Sequence, residues 1–104
     1  MKAFRGDRTI DGIVVTVDGR RLDPRFDLAS FTKNSYEWGY EGAEPTQLAF
    51  AILNEHLGDA ERAKALAAPF MREVVANFGN EWELSGAEID RVLQALAGKA
   101  ATKP

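Results

Sequence analysis

The sequence predicts one α+β domain, in which three helices pack on one face of a small, mostly antiparallel sheet. Two Asp-Gly pairs, at residues 11–12 and 18–19, flank a run of β-branched residues and indicate the sheet. From residue 45 onwards, apolar residues recur every three or four positions, which indicates helices. With 104 residues, of which 45% are hydrophobic, the chain has room for one core.

The N-terminal part of the sheet is predicted to be a three-stranded meander. The Asp-Gly pairs separate its strands, because Asp-Gly is typical of two-residue hairpin turns. The predicted strands end at Ile10, span residues 13–17 and span residues 20–22. A short strand over residues 2–5, with Phe4 facing inward, precedes them. One of the two Asp-Gly pairs could form a bulge instead of a turn.

One or two further short strands are predicted from alternation. Aromatic residues occupy every second position of residues 36–40, so all three would face the core. The glycines and the proline that follow are typical of a turn that leads into a helix. This structural core motif consists of Tyr36, Trp38, Gly39, Tyr40, Gly42 and Pro45. Residues 81–84 could add another strand, with Trp82 and Leu84 inward.

Start and stop signals bound the three predicted helices. The first spans about 45–57 and stops at Gly58; the second begins after Asp59 and runs to about residue 78. Pro69 is expected to kink or break the second helix, since proline removes a backbone hydrogen bond. The third follows the capping box Ser85 to Glu88 and ends at Gly98. Residues 1–98 therefore form the predicted domain, and residues 99–104 a disordered tail.

Two expectations concern side chains outside these regular patterns. Phe50 lies off the apolar stripe of the first helix and is expected to be partly exposed. Phe26, Leu28 and Phe31 are unevenly spaced between the meander and residue 36, which predicts a loop held on the core by three apolar anchors.

The residue types present limit the chemistry that we expect. The chain has no cysteine, which excludes disulfides and thiolate metal sites and is compatible with a cytoplasmic protein. The only histidine, His56, lies near a helix end among charged residues, a setting typical of the surface. No serine has the context of a nucleophile, and no glycine-rich loop matches a nucleotide-binding pattern. We expect no catalytic residue, no metal, no cofactor and no enzymatic activity. The longest apolar run is too short to span a membrane.

Positive charge is concentrated in the N-terminal third of the chain. Residues 1–35 carry seven basic residues against five acidic ones, although the whole chain has a net charge of −3. The hypothetical binding residues are Arg5, Arg8, Arg20 and Arg21. A docking surface for a protein partner is one interpretation of these arginines, and ordinary solvated strands are the other. Nucleic acid is a less favoured partner, because no lysine or arginine occurs near the aromatic segment, within residues 36–61.

Several of these motifs together resemble a family of small bacterial proteins of unknown function. The resemblance depends on Arg5-Gly6-Asp7-Arg8, on Tyr36-Glu37-Trp38-Gly39-Tyr40, on Pro45-x-Gln47-Leu48-Ala49 and on Trp82-x-Leu84, and it covers residues 4–97. Similar proteins occur in bacterial genomes, integrative elements and phages, and the family has no assigned reaction. The resemblance implies a non-enzymatic accessory or protein-interaction protein of the bacterial cytoplasm. The alternative is a small-ligand or nucleic-acid binding module that uses the basic N-terminal meander.

Overall fold

The computed structural model describes residues 2–102, which form a four-stranded antiparallel sheet and three α-helices. The strands are β1 (Ala3–Thr9), β2 (Gly12–Val17), β3 (Arg20–Arg21) and β4 (Glu81–Ser85). The helices are α1 (Ala43–Leu57), α2 (Ala60–Glu73) and α3 (Gly86–Thr102). The strand order is β3-β2-β1-β4, so the first three strands form a meander and the last strand returns beside the first. This is the predicted α+β class.

The two Asp-Gly pairs form different turns. Asp18 and Gly19 have φ angles of 51° and 84°, as a two-residue type I′ turn requires, and they connect β2 to β3. At the first hairpin Thr9 pairs with Gly12, so the turn residues are Ile10 and Asp11, and the glycine follows them with φ of 116°. The pairing of β1 with β2 stays one-to-one up to this turn, so the predicted alternative of a bulge is not found at this hairpin.

The hydrophobic core lies between one face of the sheet and the helices. The sheet contributes the fully or almost fully buried side chains of Phe4, Val15, Val17, Trp82 and Leu84. The longest buried run on a helix is residues 47–53 of α1, which packs most extensively against α2. Ile89 of α3 completes the core at the end of β4. All three helices therefore cover the same face, as predicted.

Most of the predicted helix signals are confirmed at atomic detail. Gly58 adopts the left-handed conformation with φ of 66° and donates its N–H to the carbonyl of Asn54. The Asp59 carboxylate accepts the N–H of Arg62 at 3.2 Å, which caps α2. At the start of α3 both bonds of the capping box are present: Ser85 N donates to Glu88 Oε1 at 3.0 Å, and Glu88 N donates to Ser85 Oγ at 3.1 Å.

Three predicted helix boundaries are corrected. Helix α1 begins at Ala43, so Pro45 lies inside its first turn, where a missing N–H is tolerated. Helix α2 is not broken at Pro69 and ends at Glu73, before a 3₁₀ turn at Val75–Asn77. Helix α3 continues past Gly98 to Thr102. The predicted disordered tail overlaps this last turn, and its final two residues lie outside the described residues.

The predicted strand at residues 36–40 is wrong. This segment has no regular secondary structure, although Tyr36 and Trp38 are buried as predicted. Side-chain bonds hold it: the Tyr36 hydroxyl donates to the carbonyl of Leu22, and Trp38 Nε1 donates to the carbonyl of Gly79, both at 2.6 Å. Tyr40 is 44% exposed, so the third aromatic does not join the core. Tyr36 and Trp38 are two positions apart on an extended chain and are both buried. They therefore show the sequence pattern of a strand, although no other strand pairs with this segment.

The expectations for the loop between β3 and residue 36 are also corrected. Phe26 and Leu28 are about 40% exposed and do not anchor it. Phe31 packs against Phe50, with ring centroids 5.8 Å apart, and Phe50 is fully buried instead of partly exposed. The loop covers the side of α1 that the helical pattern alone left open to solvent.

Candidate functional site

The sheet has one face without helices, here called the open face. Successive residues on a strand face opposite sides of the sheet, and on β1 Phe4 and Gly6 face the core side. The open face therefore carries the residues between them and their cross-strand partners. It consists of Arg5, Asp7, Val14, Thr16, Arg21, Glu81 and Glu83. A shallow depression of about 800 Å³ lies over this face.

Charges of opposite sign are unevenly distributed across the open face. On β1 and β4, Arg5 pairs with Glu83, with Nε and Oε1 3.3 Å apart, while Asp7 lies directly opposite Glu81. This half of the face thus carries three carboxylates and one arginine. The Arg5–Glu83 pair is about 70% exposed on both sides and contributes little to stability. The acidic character arises because the sheet brings the glutamates of β4 beside β1.

Arg8, one of the predicted binding residues, has a structural role on the core side of the sheet. Its guanidinium donates to both carboxylate oxygens of Glu37 at 2.9 Å and to Asn80 Oδ1 at 3.3 Å. It also lies over the ring of Trp38, 4.8 Å from the centroid. These contacts fasten the segment around Trp38 to the end of β1. Arg8 therefore holds the structural core motif and is separated from the open face.

Arg20, a second predicted binding residue, is directed towards α1. It pairs with Glu55, with 2.9 Å between Nη2 and Oε1, and Lys2 bonds the other oxygen of the same carboxylate at 2.6 Å. The hydrogen bonds from Lys2 and Arg20 hold the pKa of Glu55 below its ordinary value. These contacts line a cleft of about 620 Å³ at the C-terminal end of α1. The carboxylate of Glu55, which lines this cleft, is thus already ion-paired.

The four predicted binding arginines therefore do not form one surface. Arg5 and Arg21 lie on the open face with Thr16 between them, whereas Arg8 and Arg20 lie on the opposite side of the sheet. The side chain of Arg21 is exposed and has no hydrogen-bond partner within residues 2–102. The sequence identified the arginines, but the register of the strands determines which of them share a face. Binding by these residues stays a prediction.

The remaining residues of the structural core motif fix the start of α1. Gly39 has φ of 92°, a backbone conformation that favours glycine because it has no side chain. Its N–H donates to the carbonyl of Val75. Tyr40 donates its hydroxyl to Glu44 at 2.9 Å, and Thr32 donates to the other oxygen at 2.6 Å. These two bonds lower the pKa of Glu44, and the bond from Thr32 has the larger effect. The carbonyl of Gly42 accepts the N–H and the hydroxyl of Thr46.

Sequence reasoning missed the importance of Gln47. Its side chain is fully buried, and it accepts the N–H of Phe31 and donates to the carbonyls of Pro24 and Ala29 at 2.8 to 3.0 Å. One glutamine thus satisfies three backbone groups of the loop that covers α1. The signal that could have identified it was a polar residue directly before the apolar run of α1, at a position one turn before Ala51.

The single histidine connects two helices. His56 Nε2 lies 2.7 Å from an oxygen of Asp90, which joins the end of α1 to α3. Within residues 2–102, no group of three or more potential metal ligands comes together. No helix in the same range is both long enough and apolar enough to cross a membrane.

Comparison with known proteins assigns the chain to a family and gives no activity. Neither the curated proteins nor the solved structures include a significant match. A family model described as "Family of unknown function (DUF6166)" matches residues 4–95, which includes β1 from its second residue, all of the other strands, α1, α2 and most of α3. The chain therefore belongs to this family of unknown function.

Proposed function

We propose that this protein is a non-enzymatic interaction module of the bacterial cytoplasm that binds a basic segment of a partner protein on its open face. The observation that carries the proposal is the composition of the β1–β4 half of that face, where Asp7, Glu81 and Glu83 surround Arg5. Complementary charge selects partners and speeds their encounter. A partner with two or three lysines or arginines fits this half of the face.

The contacts elsewhere in the molecule support the open face over other surfaces. Two of the predicted binding arginines, on the helix side of the sheet, are already bound to carboxylates: Arg8 to Glu37, and Arg20 to Glu55. On the open face the side chains of Glu81 and Arg21 are exposed and have no hydrogen-bond partner within the described chain. Groups without an internal partner are available to a ligand without breaking existing bonds.

The alternative, nucleic acid, fits the open face less well. Phosphates that approach Arg5 would meet Asp7 and Glu83 beside it, and like charges repel at this distance. The cysteine-free sequence supports the proposed cytoplasmic location. Fractionation of the native host would test that location independently of binding.

The experiment compares three probes by nuclear magnetic resonance titration: a lysine-rich peptide, a glutamate-rich peptide and a single-stranded oligonucleotide. We expect the lysine-rich peptide to shift backbone amide signals of β1 and β4. The double substitution Glu81→Lys with Glu83→Lys should weaken that binding at least tenfold. The matched control, Glu41→Lys with Glu61→Lys, makes the same charge change at exposed sites on the helix side.

Three results would contradict the proposal. They are stronger binding of the oligonucleotide, shifts confined to the helix side, and equal effects of the two double substitutions. Thermal unfolding of each variant shows whether a change in binding reflects loss of the fold.

A further inference from the structure

The outer edge of β4 carries backbone groups that no strand pairs. In an antiparallel ladder, alternate residues exchange hydrogen bonds with the neighbour on one side. The bonds from Arg8 N to Asn80 O and from Gly86 N to Lys2 O, at 3.0 and 2.9 Å, fix which residues these are. Even-numbered residues of β4 bond to β1, so the N–H and C=O groups of Glu81 and Glu83 point away from the sheet. Within residues 2–102 these four groups have no hydrogen-bond partner.

The side chains of the same two residues are exposed on the open face. Glu81 and Glu83 lie two positions apart, so they stand next to each other on one side of the strand. Trp82 and Leu84 point to the core side and are 7% and 6% exposed. The edge therefore offers a backbone ladder with acidic side chains on one side and a closed apolar surface on the other.

We infer that an extended, basic segment of a partner adds to this edge as a fifth strand of the sheet. The inference rests on the proposed function and adds the mode of binding. Main-chain hydrogen bonds to Glu81 and Glu83 would supply affinity, and lysine or arginine at alternate positions would face the two carboxylates. The residues between them would lie beside Trp82 and Leu84, where an apolar side chain extends the core surface.

Charge distinguishes this edge from the other edge and from a second copy of the chain. The opposite edge is β3, which is only two residues long and consists of Arg20 and Arg21, so it repels a basic segment. Two copies paired through β4 would bring glutamates opposite glutamates, which is unfavourable. The glutamates thus discourage self-association and favour a basic strand.

The experiment uses a capped seven-residue peptide in which lysine alternates with valine. Two further peptides carry backbone N-methyl groups, one at every lysine and the other at every valine. Both keep the charge of the parent peptide, but each lacks the N–H groups of one side of the strand. Binding to the full chain is followed by titration, and exchange of the amide protons of Glu81 and Glu83 is measured with and without peptide.

We expect one methylated peptide to bind at least tenfold more weakly than the other, together with slower exchange at Glu81 and Glu83. Weaker binding of the lysine-methylated peptide indicates antiparallel addition, and weaker binding of the valine-methylated peptide indicates parallel addition. Equal binding of the two methylated peptides overturns strand addition.

The glutamate substitutions separate failure of this inference from failure of the proposed function. If the two methylated peptides bind equally and Glu81→Lys with Glu83→Lys abolishes binding, the open face binds basic segments without strand addition. If that substitution leaves peptide binding unchanged, or if the parent peptide does not bind, both the strand addition and the proposed basic partner are wrong.

Discussion

Trp82 occupies the space in which a side chain on Gly6 would lie. The two residues pair across β1 and β4, and a Cβ atom on Gly6 would overlap the indole ring. The ring also stacks on Phe78, with centroids 4.1 Å apart, and meets Trp38 edge to face at 5.8 Å. Its Nε1 is buried without a hydrogen-bond partner in the described chain. Packing against Gly6 and the aromatic rings therefore fixes the position of Trp82.

We predict that Gly6→Ala destabilises the protein by roughly 1–3 kcal/mol, because the methyl group displaces a ring that is already enclosed. Urea unfolding followed by tryptophan fluorescence measures the change. Gly79→Ala is the matched control, since a Cβ atom there meets nothing within 4 Å. Equal stability of the two variants would show that Trp82 can move without cost.

Two residues of the Arg5-Gly6-Asp7-Arg8 motif, the glycine and the second arginine, are explained by contacts in the fold. Gly6 makes room for Trp82, and Arg8 holds Glu37 and Trp38. The partners of both residues are far away in sequence, so composition and periodicity gave no indication of them. The motif lies on a single strand, but Gly6 and Arg8 contact segments that are far away in sequence.

Gln47→Leu is predicted to release the loop between β3 and α1. Leucine is similar in size but cannot bond the backbone of Pro24, Ala29 and Phe31, which would lose their partners. We expect a loss of about 1–3 kcal/mol for each group left buried and unpaired, less where water replaces the glutamine. Trypsin cleavage after the loop residue Arg25 should become faster. Unchanged cleavage would mean that the ring contact between Phe31 and Phe50 alone holds the loop.

At the scale of elements, signals between residues close in sequence were the most reliable. The turn at Asp18-Gly19, the helix end at Gly58 and the cap at Ser85 were all predicted and are confirmed. Each depends on a conformation or bond within about four residues, which the sequence displays directly. The predicted strand at residues 36–40 is wrong because Tyr36 and Trp38 are held by hydrogen bonds to distant parts of the chain and not by pairing with another strand.

Ser85→Ala is predicted to cost about 1 kcal/mol, because the N–H of Glu88 loses its acceptor at the start of α3. Chemical denaturation measures the difference. Ser35→Ala, at an exposed loop position, is the control and should be nearly neutral. A similar loss in both variants would point to a general effect of removing a hydroxyl and would contradict the capping role.

At the scale of the whole molecule, Glu55 joins three separate parts of the chain. Lys2 precedes β1, Arg20 lies on β3, and both bond the Glu55 side chain on α1, which is 22% exposed. Because its pKa is lowered in the folded state, the stabilisation is fully present above the ordinary value of 4.5 and is lost as pH falls below it.

The pH dependence of unfolding tests this connection. Between roughly pH 5 and pH 3, Glu55→Gln should lose less stability than the unmodified protein, since the variant has no carboxylate to protonate there. The dependence should not vanish, because Asp27, Glu44 and Glu88 also have lowered pKa values. Glu41→Gln, in the loop before α1, is the control. If Glu55→Gln and Glu41→Gln follow the same curve, Glu55 does not connect these elements.

The fold class and the helix side of the molecule could be predicted from the sequence, but the candidate site could not. Apolar periodicity shows which residues are buried, and it placed Trp82 and Leu84 correctly on β4. It does not show which strand lies beside which. The acidic half of the open face exists only because β4 pairs with β1, so the glutamates meet Arg5 and Asp7 through a contact between the two ends of the chain.

The position of β1 also has a consequence for synthesis on the ribosome. This strand is synthesised before the other strands of the sheet, yet it lies in the interior of the sheet and pairs with β4 on one side. Until β4 has emerged, the sheet can form only its N-terminal hairpins, and the space beside Gly6 that Trp82 occupies in the folded protein stays empty. Pairing of distant segments is slow and leaves apolar surface exposed in the meantime. Truncated chains that end before residue 81 are therefore expected to depend on chaperones, whereas the full chain closes its own core.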